Sequence, residues 1–155
     1  MTTTYKIGRA LFDHAINGGD GEYNARPEAS SQAFKAGQSV YLASGLLTVT
    51  ANNATTIYGF AEEDATGTAS TTDTIRVNVI RVGDVYTMHV LAAETPSYTM
   101  IGKKYSTHQV SNVTQVHTAD QTGPSVVIVG IVDAVAGGRV LVTYLPTVIQ
   151  NHIGA

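Results

Sequence analysis

The feature that most constrains the fold is a succession of short segments, rich in Val, Ile, Thr and Tyr, that begins at Gly37. Clusters of Gly, Asn, Asp, Pro or Ser separate these segments, which is typical of β-strands joined by turns. No segment keeps the helical period over several turns. The sequence therefore predicts an all-β fold, either a small antiparallel β-barrel or a sandwich. The predicted strands span residues 38–43, 46–50, 56–62, 74–82, 85–91, 98–104, 126–133 and 139–145.

Glycine and asparagine mark the turns between these strands. Gly83-Asp84 and Gly137-Gly138 each stand between two strand segments. They predict β-hairpins, because tight hairpin turns need a positive φ that glycine adopts readily. Asn52-Asn53 predicts a further turn, since Asn tolerates the left-handed region of backbone space.

The strand before Gly83 contains a change of parity. Ile75, Val77 and Val79 alternate on one face, and the apolar face then moves to Ile80 and Val82. A slip of one residue inverts the facing of every later side chain, so this change predicts a β-bulge near Val79 and Ile80. Bulges bend sheets, and a closed barrel requires bends.

The segment 126–132 is apolar on both faces of its strand, and the strand 139–145 also carries apolar residues on both sides. Helices cover the second face of a parallel sheet, but the sequence predicts none to do so here. Either the N-terminal segment or another subunit has to cover this face, so we expect a homo-oligomer. A strand inside a sandwich that is covered by a loop is the alternative. The expected interface residues are Val127, Val129, Ile131, Leu141 and Leu145.

Residues 1–36 do not share the strand pattern. They carry four basic and four acidic residues and are therefore neutral overall. Their aromatic residues are of little use to a free linker. We expect residues 1–36 to form an extended N-terminal arm that grips a neighbouring protein, and residues 37–155 to form the β domain; a short helix over residues 7–16 also fits the spacing of the apolar residues there. The expected arm contacts are Tyr5, Arg9, Phe12, Tyr23, Arg26 and Phe34.

Charge and cysteine content exclude several classes of protein. Charged residues make up 14% of the chain, the net charge is -3, and Lys103-Lys104 is the single adjacent basic pair. Nucleic-acid binders carry a basic stripe, so we expect no nucleic-acid partner. The absence of cysteine excludes disulfides, thiolate zinc sites and cysteine nucleophiles. The N-terminus lacks the apolar core of a signal peptide and no apolar run could span a bilayer, so we expect a protein made in the cytoplasm with no membrane partner.

Residues with catalytic potential do not form a recognisable motif. None of the five histidines is spaced as a metal ligand from another. Glu62-Glu63-Asp64 is the densest carboxylate group, but neighbouring residues of a strand point to opposite faces and cannot share one substrate. We expect no enzymatic activity, no cofactor and no metal. A zinc site assembled in space, or an ion held at an oligomer axis by histidines or carboxylates, remains open.

The order of the segments resembles that of a known family. Gly37-Gln38-Ser39-Val40-Tyr41-Leu42 comes first, followed by residues 54–66, residues 100–105, residues 129–133 and residues 140–142. Over residues 37–145 this order resembles the small β-barrel decoration (cement) proteins of tailed-phage capsids. The resemblance implies a trimer on the outer capsid surface, at or near three-fold positions, that clamps neighbouring capsid subunits. Some proteins of this family use terminal arms to reach an adjacent decoration protein or capsid subunit, so the resemblance is consistent with such an arm here.

We therefore expect a structural virion protein, made in the host cytoplasm, that cements the lattice of the major capsid protein from outside. Its expected partners are the major capsid protein, two further copies of itself and neighbouring decoration trimers. The alternative is a receptor- or carbohydrate-binding β module of a virion fibre or tail. That alternative would need a cluster of exposed aromatic residues on the β domain.

Overall fold

The computed structural model describes residues 11–14, 22–27, 29, 32–65 and 74–150. In these residues the chain forms antiparallel β-sheets joined by turns and loops. The predicted all-β fold class is confirmed. In chain order the strands are β1 (Leu11–His14), β2 (Glu22–Pro27), β3 (Ser39–Ala43), β4 (Leu46–Val49), β5 (Gly59–Ala61), β6 (Thr74–Val79), β7 (Val85–His89), β8 (Lys104–Val110), β9 (Val113–His117), β10 (Val126–Ile131) and β11 (Arg139–Tyr144). A short 3-10 turn, Tyr98–Met100, lies between β7 and β8. Within the described part of the chain, no helix is long and apolar enough to cross a bilayer.

The strands form two sheets. The six-stranded sheet has the order β1-β7-β11-β10-β8-β9, and the five-stranded sheet has the order β2-β6-β5-β3-β4. Ala29 N donates to Leu47 O at 2.9 Å, so the chain just after β2 reaches β4 at the opposite edge of the same sheet. The five-stranded sheet is therefore curled toward closure.

A cluster of aromatic rings joins the two sheets in the larger of two apolar cores. Phe60 comes from the five-stranded sheet, whereas Tyr86 and Tyr144 come from the six-stranded sheet. The Phe60 centroid lies 5.0 Å from Tyr86 and 6.0 Å from Tyr144. Tyr86 Oη donates to Asn78 Oδ1 at 2.7 Å. Burial raises the pKa of Tyr86 and that of Tyr144 far above the ordinary value for tyrosine. The smaller core lies against the five-stranded sheet and contains Phe34, Val40, Leu47, Tyr58, Ala61, Ile75, Val77 and Val79.

The predicted hairpin at Gly83 and the predicted bulge near Val79 are both wrong, for one reason. β6 belongs to the five-stranded sheet and β7 to the six-stranded sheet, so the turn connects two sheets instead of two paired strands. Val79 packs in the smaller core and Ile80 in the larger one. The change of parity is the point where the chain leaves one core for the other. The turn itself is present, with Gly83 at φ +87°.

The other predicted turns are confirmed, and one hairpin was missed. Gly137 has φ +68° in the connection of the β10–β11 hairpin, and Asn53 has φ +56°. The missed hairpin joins β8 to β9 through Ser111 (φ +49°) and Asn112 (φ +65°). The strand predicted over residues 98–104 is wrong, because the 3-10 turn occupies its first half and β8 begins at Lys104.

Strands from the N-terminal segment add to the edges of both sheets. β1 pairs with β7 and β2 pairs with β6 of the same chain. The helix expected over residues 7–16 is wrong for Leu11–His14, which form β1, and its other residues lie outside the described ones. The division into an arm of residues 1–36 and a domain of residues 37–155 stays a prediction.

Candidate assembly surface and histidine–carboxylate cluster

The β10–β11 hairpin has one face against the larger core and one face turned outward. Val126 and Ile128 on β10 are fully buried, as are Val140 and Val142 on β11. Because strand side chains alternate, the residues between them point away from the core. Val129 is 43% exposed on this outward face. The sequence therefore places valine on both sides of β10, and in the described part of the chain only one of these sides packs against a core.

A register shift between Ile128 and Gly130 shapes this outward face. Leu141 lies over Gly130, since a Cβ atom built on Gly130 would come within 3.2 Å of Leu141 Cδ1. The missing side chain at Gly130 leaves the space that Leu141 occupies. After the shift, Ile131 is in register with the buried Val140 and packs against the larger core.

The five predicted interface residues divide into two groups. Val127, Val129 and Leu141 share the outward face of the hairpin and are part-exposed. Ile131 and Leu145 are part-buried and pack against the larger core instead. We call Val127, Val129 and Leu141 the outer apolar patch. Participation of any of the five in an oligomer interface stays a prediction.

The outer apolar patch continues across the sheet through strand register. Val127 is in register with Lys104 on β8 and with Thr143 on β11. Thr143 is in turn in register with Val85 on β7. The outward row therefore runs across four strands and has a lysine at the β8 end.

The residues predicted as arm contacts have different positions in the fold. Phe34 is fully buried in the smaller core, and its backbone exchanges hydrogen bonds of 2.9 and 3.1 Å with Ala65. Phe12 lies in β1, in register with Tyr86. Tyr5 and Arg9 lie outside the described residues. Phe34 thus helps to hold the N-terminal segment to the β domain of its own chain.

Tyr23 and Arg26 on β2 also contact their own chain. The Arg76 guanidinium lies 4.5 Å from the centroid of the Tyr23 ring, which is 41% exposed. Arg26 Nε donates to Tyr58 Oη at 3.0 Å. These contacts attach β2 through polar and cation–π interactions in addition to its pairing with β6. A role in binding a neighbouring protein stays a prediction for both residues.

Two histidines meet beside the β8–β9 hairpin, each near a carboxylate. The rings of His108 and His117 are tilted by 52°, with centroids 4.3 Å apart. Asp120 Oδ2 lies 3.5 Å from His108 Nε2, and Glu94 Oε1 lies 3.3 Å from His117 Nδ1. The contact between His117 and Glu94 is not a hydrogen bond, because the buried His117 Nδ1 has no hydrogen-bond partner among the described residues.

The two carboxylates fasten connecting segments to this hairpin. Asp120 accepts hydrogen bonds from Thr122 N at 2.7 Å and Asn53 Nδ2 at 3.1 Å. The backbone hydrogen bond from Thr122 is the main reason that the pKa of Asp120 falls to about 2. Glu94 accepts from Thr118 N at 2.8 Å and Ala119 N at 3.1 Å. The cluster therefore ties together several loops.

One feature of the sequence, the pair Ser111-Asn112, could have predicted this histidine cluster. Ser111-Asn112 is a two-residue turn between strands, and Asn is suited to its positive φ. Such a turn sets the register in which Ser106 lies opposite His117. His108 follows Ser106 by two residues and so shares the face of His117. Among the described residues, no group of three or more His, Cys, Asp or Glu side chains could hold a metal ion.

A shallow polar pocket lies beside the turn at Asn53. Its volume is about 340 Å³, and Tyr41 is the aromatic residue in its wall. Asn52, Asn53, Thr55 and Thr56 supply most of its polar lining. Hydroxyl and amide groups beside an aromatic ring can bind a neutral polar ligand.

Comparison with known proteins adds no assignment. No model of a known protein family matches this sequence, and no curated protein matches it. Function therefore has to be argued from the residues and the geometry of this chain.

Proposed function

We propose that this protein is a structural component of a virion. It binds the outer surface of a tailed-phage capsid as a homotrimer and stabilises the lattice of the major capsid protein. The observation that carries the proposal is the outer apolar patch on the six-stranded sheet. The resemblance of residues 37–145 to capsid decoration proteins supplies the biological setting.

The outer apolar patch favours association with another protein surface. An antiparallel sheet that packs on a core with one face commonly presents polar residues on the other. Here Val127, Val129 and Leu141 occupy that second face. Contiguous exposed apolar residues mark interaction sites in soluble proteins. These side chains are already partly buried, so covering the remainder of each would contribute only part of the about 1.5–3 kcal/mol for a fully exposed side chain. A symmetric trimer would bury three copies of the patch.

The N-terminal strands support a second mode of contact. β1 and β2 are held at sheet edges by backbone pairing. Addition of an extended strand to a sheet edge is also a common way for one protein to bind another. In this proposal the N-terminal segment reaches the capsid or a neighbouring trimer, with Tyr5, Arg9 and Phe12 as its contact residues. Phe34 anchors the segment to the β domain.

The proposal can be tested with capsids from a phage mutant that lacks this gene. The purified protein should co-sediment with these capsids and should raise the temperature at which they rupture. It should saturate in multiples of three copies per three-fold site. A failure to bind these capsids at micromolar concentration would contradict the proposal.

The polar pocket at Tyr41 favours a second candidate function, a receptor- or carbohydrate-binding module of a virion fibre or tail. Neutral sugars bind through hydroxyl and amide groups together with aromatic rings, and this pocket offers both. A glycan array should then detect binding that Tyr41→Ala abolishes. Binding to capsids without binding to any glycan favours the decoration function over this one.

A further inference from the structure

A prominent aromatic residue lies on the 3-10 turn between β7 and β8. Tyr98 is 75% exposed, more than any other exposed large hydrophobic residue among those described. Ile101, three positions later, is 43% exposed. Exposed large side chains on one short turn are costly to leave in water unless they are covered by a partner.

Backbone hydrogen bonds fix the shape of this turn. Met100 N donates to Ser97 O at 3.0 Å, and Lys103 N donates to Met100 O at 3.1 Å. Gly102 has φ +83°, and its N–H donates to Ile128 O at 2.8 Å. The turn is thus hydrogen-bonded to β10 of the six-stranded sheet. A preorganised turn loses less conformational entropy on binding than a free loop does.

Two lysines follow the turn and form no ion pair with another described residue. Lys103 and Lys104 are exposed, and no carboxylate among the described residues lies within ion-pair distance of either one. The arginines of the β domain, by contrast, interact with side chains of their own chain. Arg81 pairs with Asp84 and Arg139 with Asp133, while Arg76 stacks on Tyr23.

The turn adjoins the outer apolar patch. Ile128 N donates to Lys103 O at 3.2 Å, and Lys104 is in register with Val127. Residues 102–104 therefore run directly beside β10. We call Tyr98, Ile101, Lys103 and Lys104 the basic knob. It lies at the edge of the outer apolar patch and carries exposed apolar and basic side chains of its own.

We propose that the basic knob is the contact through which this protein binds an acidic protein surface on the capsid. Tyr98 and Ile101 enter an apolar recess of that surface, and the two ammonium groups pair with carboxylates around it. Tyrosine at such a position is a common hot spot of binding energy. This inference rests on the proposed function and names the side chains that would perform it. It assigns the capsid contact to the β domain in addition to the N-terminal segment.

The inference can be tested by measuring how labelled protein co-sediments with capsids from the gene-deleted phage at several salt concentrations. Tyr98→Ala should weaken binding at least about tenfold, the size expected at a hot spot. Lys104→Gln should weaken binding at low salt and reduce its dependence on salt, because screening acts on exposed charges. Val82→Ala is the matched control for the loss of an exposed apolar side chain outside the knob, since Val82 is 45% exposed. This control should bind as the unaltered protein does.

Each result separates this inference from the proposed function. Loss of capsid binding by Tyr98→Ala and Lys104→Gln, with the oligomeric state retained, supports the inference. Unchanged capsid binding by both variants overturns it and leaves the proposed function intact. Dissociation of the oligomer by Tyr98→Ala also overturns it, because the knob would then face another copy of the chain. If the unaltered protein does not bind capsids, the proposed function fails and the inference fails with it.

Discussion

The inner and outer faces of β10 carry the same kind of side chain in different surroundings. Ile128 on the inner face is fully buried, whereas its neighbour Val129 on the outer face is 43% exposed. Hydrophobic character alone therefore does not distinguish a residue that stabilises the fold from one that is available to a partner. The distinction comes from the five-stranded sheet, which contributes Phe60 to the core over the inner face, whereas the described residues leave Val129 on the outer face exposed.

The largest expected effect is a loss of unfolding free energy when a side chain on the inner face is truncated and the outer face is left unchanged. Ile128→Ala should lower the free energy of unfolding by about 2–5 kcal/mol, because it removes buried methyl groups and leaves a cavity. Val129→Ala should change it by less than about 0.5 kcal/mol in the monomeric state, as is usual for surface positions. Urea denaturation of both variants at a concentration that keeps the protein monomeric measures this difference. Equal losses would mean that the two faces are not distinct.

The tyrosines of the inner face allow a finer comparison. Tyr86 Oη donates to Asn78 Oδ1, whereas the buried Tyr144 Oη has no hydrogen-bond partner among the described residues. Tyr86→Phe should cost about 1–3 kcal/mol of unfolding free energy, because it leaves a buried acceptor unpaired. Tyr144→Phe should be neutral or stabilising. Urea denaturation again measures both, and a larger loss in Tyr144→Phe would contradict the assigned hydrogen bonding.

The smallest expected effect concerns acid stability at the edge of the same sheet. Hydrogen bonds, chiefly from Thr122 N, lower the pKa of Asp120 from 3.8 to about 2. A carboxyl whose pKa is depressed by folding contributes stability above its unfolded pKa and loses that contribution as the pH falls through its folded pKa. Thermal melting should therefore show a decline between about pH 4 and pH 2 that is smaller in Asp120→Asn. The same decline in both proteins would exclude a contribution from this carboxylate.

Local patterns in the sequence predicted the fold class and most of the strands. The alternation of Ile75, Val77 and Val79 indicated one face of the strand that is β6, and all three side chains are buried. The two-sided apolar character of residues 126–132 indicated an outward face on β10. These properties depend on side chains within one strand, so a sequence pattern can reveal them.

Features that depend on partners elsewhere in the chain were not predicted. The register shift at Gly130 turns Ile131 toward the core, and a simple alternation cannot show it. The passage of the chain between sheets after Val79 resembled a bulge because both events change the parity of apolar residues. His108 and His117 are brought together by the β8–β9 register. Burial of Phe34 in the smaller core likewise depends on strands that follow it in sequence.

The central claim is that the outer apolar patch is an assembly surface, and the molar mass in solution tests it most directly. Multi-angle light scattering at micromolar concentration should give three times the chain mass of 16.3 kDa for the unaltered protein. Val129→Asp should give the mass of one chain while still unfolding cooperatively, because it places a charge in the apolar interface. A monomeric unaltered protein, or a Val129→Asp variant that remains a trimer, would contradict the claim.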